Sequence, residues 1–554
     1  MLTSDIYRDV FFSPAVHDIL VGGTIIPPQG NARGLVQALL HRIAEAERLL
    51  GESSVATSEA LGDLEDLIEA GVCILGSPLL TNVAFSRPTL SSCSAVPMPA
   101  GPFSEGHAEA AAAYYGLNMG SGYNLDAAED PVRMLYDLNA HARDLTQQRS
   151  CERYIGNMAH LSVHHPQIRR FIAAKVSRHN VLHFNISIDV SEAFMRAVSE
   201  DSTYTLRGGC PQRAREVWDD LVSCAWACGD PGLISLERFN AGNALAGTSP
   251  YVTTAPCAEV GLAAGETCVF GYINLAACLK REGGALELDE TLVTRAAKCL
   301  TRILDDAVEA SLAGSPTAVT GEVMARNRKI GIGICGYADV LLMMELDYGS
   351  TPARALLNCA LSTINFSSKV ASMELAARRG SFADFGSSRY QTEPGFLSRS
   401  RAFASNPGAD LWRNLERDVA RWGLRNAMTT ALPPSGRSAL LLGVNSSIEP
   451  FLSLKPSGHG PLICRLLDHG PGAEAERLTL YRSAINILPS EHIAVSAEAA
   501  GLVDDSLSKT VNLRQDASLA DVSEVFLTAW AAGLKGISVF RDHSLPLQAP
   551  ARAA

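Results

Sequence analysis

Apolar positions along this chain follow two different rhythms. From Gly34 to Leu50 they recur at Val36, Leu39, Leu40, Ile43, Ala46 and Leu50, with Arg and Glu between them. That spacing predicts an amphipathic helix with one buried face. Near the other end, Ser518 and Asp521 are spaced as a capping box, Val522, Phe526 and Trp530 mark one helical face, and Gly533 stops the helix. The period then shortens to two in Ile537-Ser-Val-Phe540, the signature of a strand. The same alternation runs from His183 to Asp189, and a helical stretch from Ser191 to Ala197 follows it. Strands followed by helices imply an α/β fold with a parallel sheet or barrel. Residues 379–410, rich in Ser, Gly and Arg, predict a surface excursion. The chain has no fixed-period repeat and no low-complexity tract.

Composition narrows the function classes. With 554 residues the chain is too long for a single small domain and buries a sizeable core. Apolar residues make up 47% and charged residues 19%, the balance of a folded globular protein. Net charge is -12, from 47 basic and 59 acidic residues. That argues against a surface built to grip nucleic-acid phosphates, while a small anionic ligand held by a few local donors stays open. Thirteen cysteines in irregular spacing do not form a secreted disulfide framework, which points to a reducing compartment. Acidic residues come early, no apolar signal core follows Met1, and no apolar run reaches 18 residues. A cytoplasmic protein with no membrane partner is expected.

The densest chemistry lies in Thr254-Ala-Pro-Cys-Ala-Glu259, with Cys268 shortly after it. Read as an extended segment, it points Ala255, Cys257 and Glu259 to the same side. A hydrogen-abstracting or nucleophilic sulfur then sits beside a base. Pro433-Pro-Ser-Gly-Arg-Ser438 combines backbone N–H groups, two hydroxyls and a guanidinium, a set suited to phosphate if a helix starts at Ala439. Three other motifs read as structural. Gly331-Ile-Gly-Ile-Cys-Gly336 matches a dinucleotide fingerprint, but Arg326-Asn-Arg-Lys329 stands where a buried strand should, so close backbone packing at a turn is expected. Cys224 and Cys228 share a helix face without a second ligand pair, and His160, His164 and His165 lack a neighbouring carboxylate motif. Both groups read as packing residues.

Taken together, the ordered motifs resemble the catalytic subunit of ribonucleotide reductases, most closely the adenosylcobalamin-dependent class II branch. Besides the Cys257 segment, the resemblance rests on Leu90-Ser-Ser-Cys-Ser-Ala-Val96, Gly229-Asp-Pro-Gly232, Gly331 to Asp339, Gly443-Val-Asn-Ser-Ser-Ile-Glu-Pro450, Glu491-His-Ile493, Leu507 to Asn512 and Lys535 to Asp542. It implies a ten-stranded α/β barrel with the radical cysteine on an inner loop. The expected organisation is a mostly helical region over 1–70, the barrel over 71–545 with insertions at about 379–410, and a tail at 546–554 without cysteines.

Residue by residue, the resemblance implies that Cys257 becomes the thiyl radical and that Glu259 is the base for the ribose 3′ hydroxyl. Cys93 and Cys268 become the pair that closes a disulfide as the 2′ hydroxyl leaves. Ser435, Gly436, Arg437 and Ser438 match the phosphate loop, and Ser77 and Ser92 match further substrate contacts. The implied partners are a ribonucleoside di- or triphosphate and an external thiol or thioredoxin-like reductant, acting on a monomer or homodimer. Class I relatives carry a tyrosine pair near the last barrel segment, where this chain has Val539 and Phe540, and phenylalanine cannot relay a proton-coupled radical. No segment resembling an ATP cone precedes the first helix, so overall control by ATP and dATP is not expected. Two positions depart from the family. Ala255 replaces an asparagine that holds substrate hydroxyls, removing a hydrogen bond of about 1–3 kcal/mol, and the tail lacks the cysteine pair that re-reduces the site. Those departures keep two alternatives in view: a diverged radical enzyme acting on a modified nucleotide, and a non-catalytic nucleotide-binding homologue.

Overall fold

A computed structural model describes residues 4–177, 181–404, 406–453, 461–468 and 481–544. The expected cysteine-free tail lies outside the described residues. Ten strands share the main sheet, numbered in chain order: β1 (Cys73–Leu75), β2 (Cys93–Ala95), β3 (Gly120–Asn124), β4 (Asn157–Ser162), β5 (Phe184–Asp189), β6 (Gly232–Ile234), β7 (Thr267–Asn274), β8 (Ile330–Cys335), β9 (Thr510–Leu513) and β10 (Gly536–Arg541). From β2 to β6 each strand pairs in parallel with the next, the connections carrying helices. β7 and β8 are parallel, as are β9 and β10. The two halves meet antiparallel at β2–β7 and again at β6–β10.

Residues 428–432 complete the ring. Thr430 bridges Ile332 of β8 and Leu432 bridges Leu507 just before β9, both in parallel. The result is the ten-stranded α/β barrel implied by the resemblance, with β1 added antiparallel on the side of β7. Every residue of β4, β7 and β8 is buried, as strands covered by helices outside and filled from inside must be.

The expected helices form where the periodicity put them. One spans Ala32–Leu49, its first turn capped by Asn31 Oδ1 accepting the Gly34 N–H at 2.8 Å. Another spans Leu519–Ala531, and the Ser518–Asp521 capping box is present. The excursion at 379–410 is more than surface: Phe382, Phe385 and Leu397 join Trp412, Leu415 and Val419 of the helix Ala409–Trp422 in a separate apolar cluster. No described helix is long and apolar enough to cross a membrane.

A hairpin fills the barrel. Thr253–Thr254 pairs antiparallel with Gly261–Leu262, and the intervening tip is closed by bonds from the Ala255 N–H to the Val260 carbonyl (2.9 Å) and from the Ala258 N–H to the Ala255 carbonyl (3.0 Å). Ala258 takes the left-handed conformation at φ 59°. The wall has no side chain where the hairpin passes. A Cβ on Gly122 of β3 falls 2.0 Å from the Thr254 carbonyl oxygen.

That contact predicts that Gly122→Ala loses about 1–3 kcal/mol, because inserted volume has nowhere to go. Gly62, on the exposed face of the helix Ser54–Glu69, has nothing within 4 Å of its Cβ position. Gly62→Ala therefore gains roughly 0.5–1 kcal/mol in the same urea titration. Equal effects from the two substitutions would sink the close-approach argument.

Candidate functional site

The hairpin tip places Cys257 on the partition between two cavities. The smaller, of about 250 Å³, is lined by Ser77, Ser92, Cys93 and Glu259 together with Ser435, Gly436 and Arg437. The larger, of about 650 Å³, is bounded by the loop before β6, residues 507–510 and β10. Pro256 and Cys257 belong to both. One sulfur-bearing turn is thus the wall between them.

Around that sulfur the polar atoms converge. The Cys257 N–H donates to Glu259 Oε2 at 3.1 Å, and the Cys93 thiol donates to Glu259 Oε1 at 3.8 Å. Cys93 stands directly opposite Cys268 in the antiparallel β2–β7 register. Paired residues there have Cα atoms roughly 4.5–5.5 Å apart, inside the range of about 4.4–6.8 Å that a disulfide spans. All three sulfurs are free thiols.

Burial controls their ionisation. It pushes the Cys257 thiol up, the Glu259 charge adds to this, and a Ser508 hydroxyl works against it. Burial likewise raises Cys93, followed by Glu259, and raises Cys268, where Lys329 opposes it. All three are neutral thiols near pH 7, which suits hydrogen-atom donation and disfavours thiolate attack. Glu259 is pushed up to about 7 by burial, against the hydrogen bonds from the Cys257 N–H and the Cys93 thiol. Its proton is therefore poised to come and go at neutral pH.

Three sequence expectations need correction. The tip is a turn and not an extended strand, so Ala255 does not share a side with Cys257 and Glu259. Its methyl is fully buried among Val260 and Leu262 and lines neither cavity. Ser438 is also turned away: its buried hydroxyl donates to the Leu75 carbonyl at 3.0 Å. The helix begins at Gly436 instead of Ala439, running Gly436–Leu441. Ser92 lines the smaller cavity, with a buried hydroxyl that has no hydrogen-bond partner among the described residues.

Several site residues carry no local sequence signal. Ser446 Oγ gathers the Ser435 and Gly436 N–H groups at 3.0 and 3.1 Å, which holds the loop in shape. Tyr272 donates to the Pro434 carbonyl at 3.2 Å, and Arg153 lines the smaller cavity. Of the fingerprint-like glycines, Gly331 and Gly333 lie within β8 and Gly336 caps the helix after it, and a Cβ on Gly331 would strike the Phe270 ring at 2.7 Å. His164 bonds the Thr205 carbonyl and Ser191 Oγ, both at 2.8 Å. Cys228, at the end of the helix Ala214–Cys228, reaches the larger cavity.

Residues 122–457 and 466–540 match the family described as ribonucleotide reductase, barrel domain. The chain is 30% identical to a vitamin B12-dependent ribonucleoside-diphosphate reductase of Thermoplasma acidophilum, over 71% of this chain and 52% of that protein. A protein of the same description from Mycobacterium tuberculosis is 31% identical, over 72% of this chain and 58% of that one. A vitamin B12-dependent ribonucleotide reductase of Streptomyces clavuligerus is 23% identical, over 75% and 51% respectively. The chain spans about half the length of the curated relatives it matches.

The raised Glu259 carboxyl has a measurable sign. Moving from an ordinary 4.5 to about 7 on folding, the group favours the folded state below pH 4.5, and that contribution is lost as pH rises through about 7. Wild type should therefore fall behind Glu259→Gln by up to about 3 kcal/mol between pH 4 and pH 8. Paired urea titrations read that difference. A pH-independent gap means Glu259 is not held protonated.

Proposed function

This chain belongs to the ribonucleotide reductase family, and on that premise we propose that it reduces ribonucleotides to 2′-deoxyribonucleotides with adenosylcobalamin. Ribonucleoside diphosphates are the proposed substrates, the class for which its 30–31% identical relatives are named. The observation that carries the reading is Cys257, with its neutral thiol on the wall between the two cavities.

The ribose lies in the smaller cavity. Working as a thiyl radical, Cys257 takes the 3′ hydrogen, while ionised Glu259 accepts the 3′-hydroxyl proton. The 2′ hydroxyl leaves as water, taking up a proton. Cys93 and Cys268 give two protons and two electrons in all, including the proton taken up by the leaving hydroxyl, and close an S–S bond. Cys257 returns its hydrogen to C3′, so one ribonucleotide and two thiols become one deoxyribonucleotide, water and a disulfide. Cys268 is fully buried and Cys93 partly exposed, so an external thiol reopens the bond at Cys93.

The larger cavity suits the cofactor. It meets Cys257, presents bare backbone at Gly229, Gly232 and Gly536, and carries Phe540, 40% exposed, at its rim. Adenosylcobalamin, when bound, supplies one-electron chemistry through its cobalt–carbon bond. The hairpin keeps that chemistry apart from water and substrate except at one sulfur. A second reading, radical chemistry on a modified nucleotide, is favoured by Ala255, which offers the ribose no hydrogen bond.

The test is an anaerobic incubation with adenosylcobalamin, dithiothreitol and ribonucleoside di- and triphosphates, read by mass spectrometry for loss of one oxygen. Deoxynucleotide should form, should vanish in Cys257→Ser, and should drop at least a thousandfold in Glu259→Gln. Cobalamin binding without any deoxynucleotide overturns the reductase reading. Product from Cys257→Ser at the wild-type rate overturns the role of the sulfur.

A further inference from the structure

The smaller cavity holds a charge that neither the loop at 435–438 nor the thiol chemistry accounts for. Arg153 comes from the connection before β4 and lines that cavity together with Arg437. Among the described residues its Nε is buried without a hydrogen-bond partner, and its only side-chain hydrogen bond is a long one from Nη1 to the Asn118 carbonyl at 3.4 Å. The adjacent carboxylate does not balance it, because Glu152 is taken by Arg87 at 3.1 Å and by the Asn118 amide at 2.6 Å. Arg153 forms no ion pair among the described residues. Among the described residues Glu259 is the one carboxylate lining the cavity, and it is engaged by the Cys93 thiol and the Cys257 N–H.

Two guanidinium groups therefore share a partly buried space. Burial and then the Arg437 charge draw Arg153 down to about 10, so it remains positive at neutral pH. Burial lowers Arg437 too, and Arg437 Nη1 is anchored on the Gly23 carbonyl at 2.5 Å. Like charges held this way destabilise an empty site and are relieved by a multiply charged anion. Planar guanidinium donors match phosphate oxygens in pairs.

We infer that Arg153 is a substrate-binding residue, which together with Arg437 of the 435–438 loop grips the phosphate chain of the nucleotide. The inference rests on the reductase reading for the identity of the nucleotide. It makes the number of phosphates, and not the base, the main determinant of affinity at this site. Arg153 is separated by almost 300 positions from Arg437, and only the fold brings the two together.

Equilibrium binding separates this role from a merely structural one. A ribonucleoside diphosphate, the same nucleoside without phosphate, and inorganic pyrophosphate as competitor are titrated against wild type, Arg153→Gln and Arg153→Lys, with thermal melts to confirm folding. Arg153→Gln should raise the Kd for the diphosphate roughly ten- to hundredfold, the range of a charged hydrogen bond. It should leave the nucleoside unchanged and weaken pyrophosphate competition, and Arg153→Lys should recover part of the loss. An equal loss for nucleoside and diphosphate places Arg153 at the base and overturns the inference, as does no loss at all. A wild type that binds diphosphate while the variant binds it equally well counts against Arg153 alone. A wild type that binds no nucleotide overturns the reductase reading with it.

Discussion

Everything at the reactive centre depends on how the inner hairpin is fastened at its base. Lys329, from the turn before β8, donates to the Gly261 carbonyl at 2.8 Å and to Glu266 at 2.7 Å, while Asp505 accepts the Gly261 N–H at 3.0 Å. Lys535 reaches the Asp505 carbonyl from before β10. Lys329, Glu266 and Asp505 are all buried. Buried charges of this kind add little net stability, yet breaking one partner away is expensive, about 3–5 kcal/mol. Such a clamp specifies position more than it adds strength, and it ties the hairpin to the segments that lead into β7, β8, β9 and β10, all in one half of the barrel. The tip then has no freedom to choose where its sulfur goes.

Given that position, the chemistry follows from exclusion of water. Three thiols and a carboxyl share a low-dielectric pocket, so the charged form of each is disfavoured and the group keeps its proton. Neutral sulfur favours hydrogen-atom exchange over nucleophilic attack, and a carboxyl near pH 7 can serve as base without external help. The opposed pairing of β2 and β7 puts the two remaining thiols within bonding reach by backbone register alone, so no loop movement is required to join them.

Legibility in the sequence tracked how local each cause was. Helices at 34–50 and 519–531 and the strands near 184 and 537 were readable because burial on one face leaves a period. β7 left none, since all eight of its residues are buried and alternation has nothing to mark. The glycines of β8 imitated a cofactor motif because close packing against Phe270 demands the same residue as a phosphate turn does. Cys257 and Glu259 could be picked out together, but their shared orientation arises from a turn with Ala258 in the left-handed region, not from strand alternation. Ala255 and Ser438 were expected at the substrate and are directed into packing. Arg153, Tyr272 and Ser446 were missed, for their significance exists only once the ring is closed.

The two cavities have one turn in common, and that makes their occupants partners in equilibrium. A molecule in either cavity bears on Pro256 and Cys257, the residues that also bound the other. Any shift of the turn that one occupant favours is therefore felt by the second. Thermodynamic reciprocity then applies: whatever factor the ligand in one chamber imposes on the dissociation constant of its neighbour, the neighbour must return unchanged. Two occupants of these chambers are thereby mutual effectors, and the two residues of one turn are enough to carry the message.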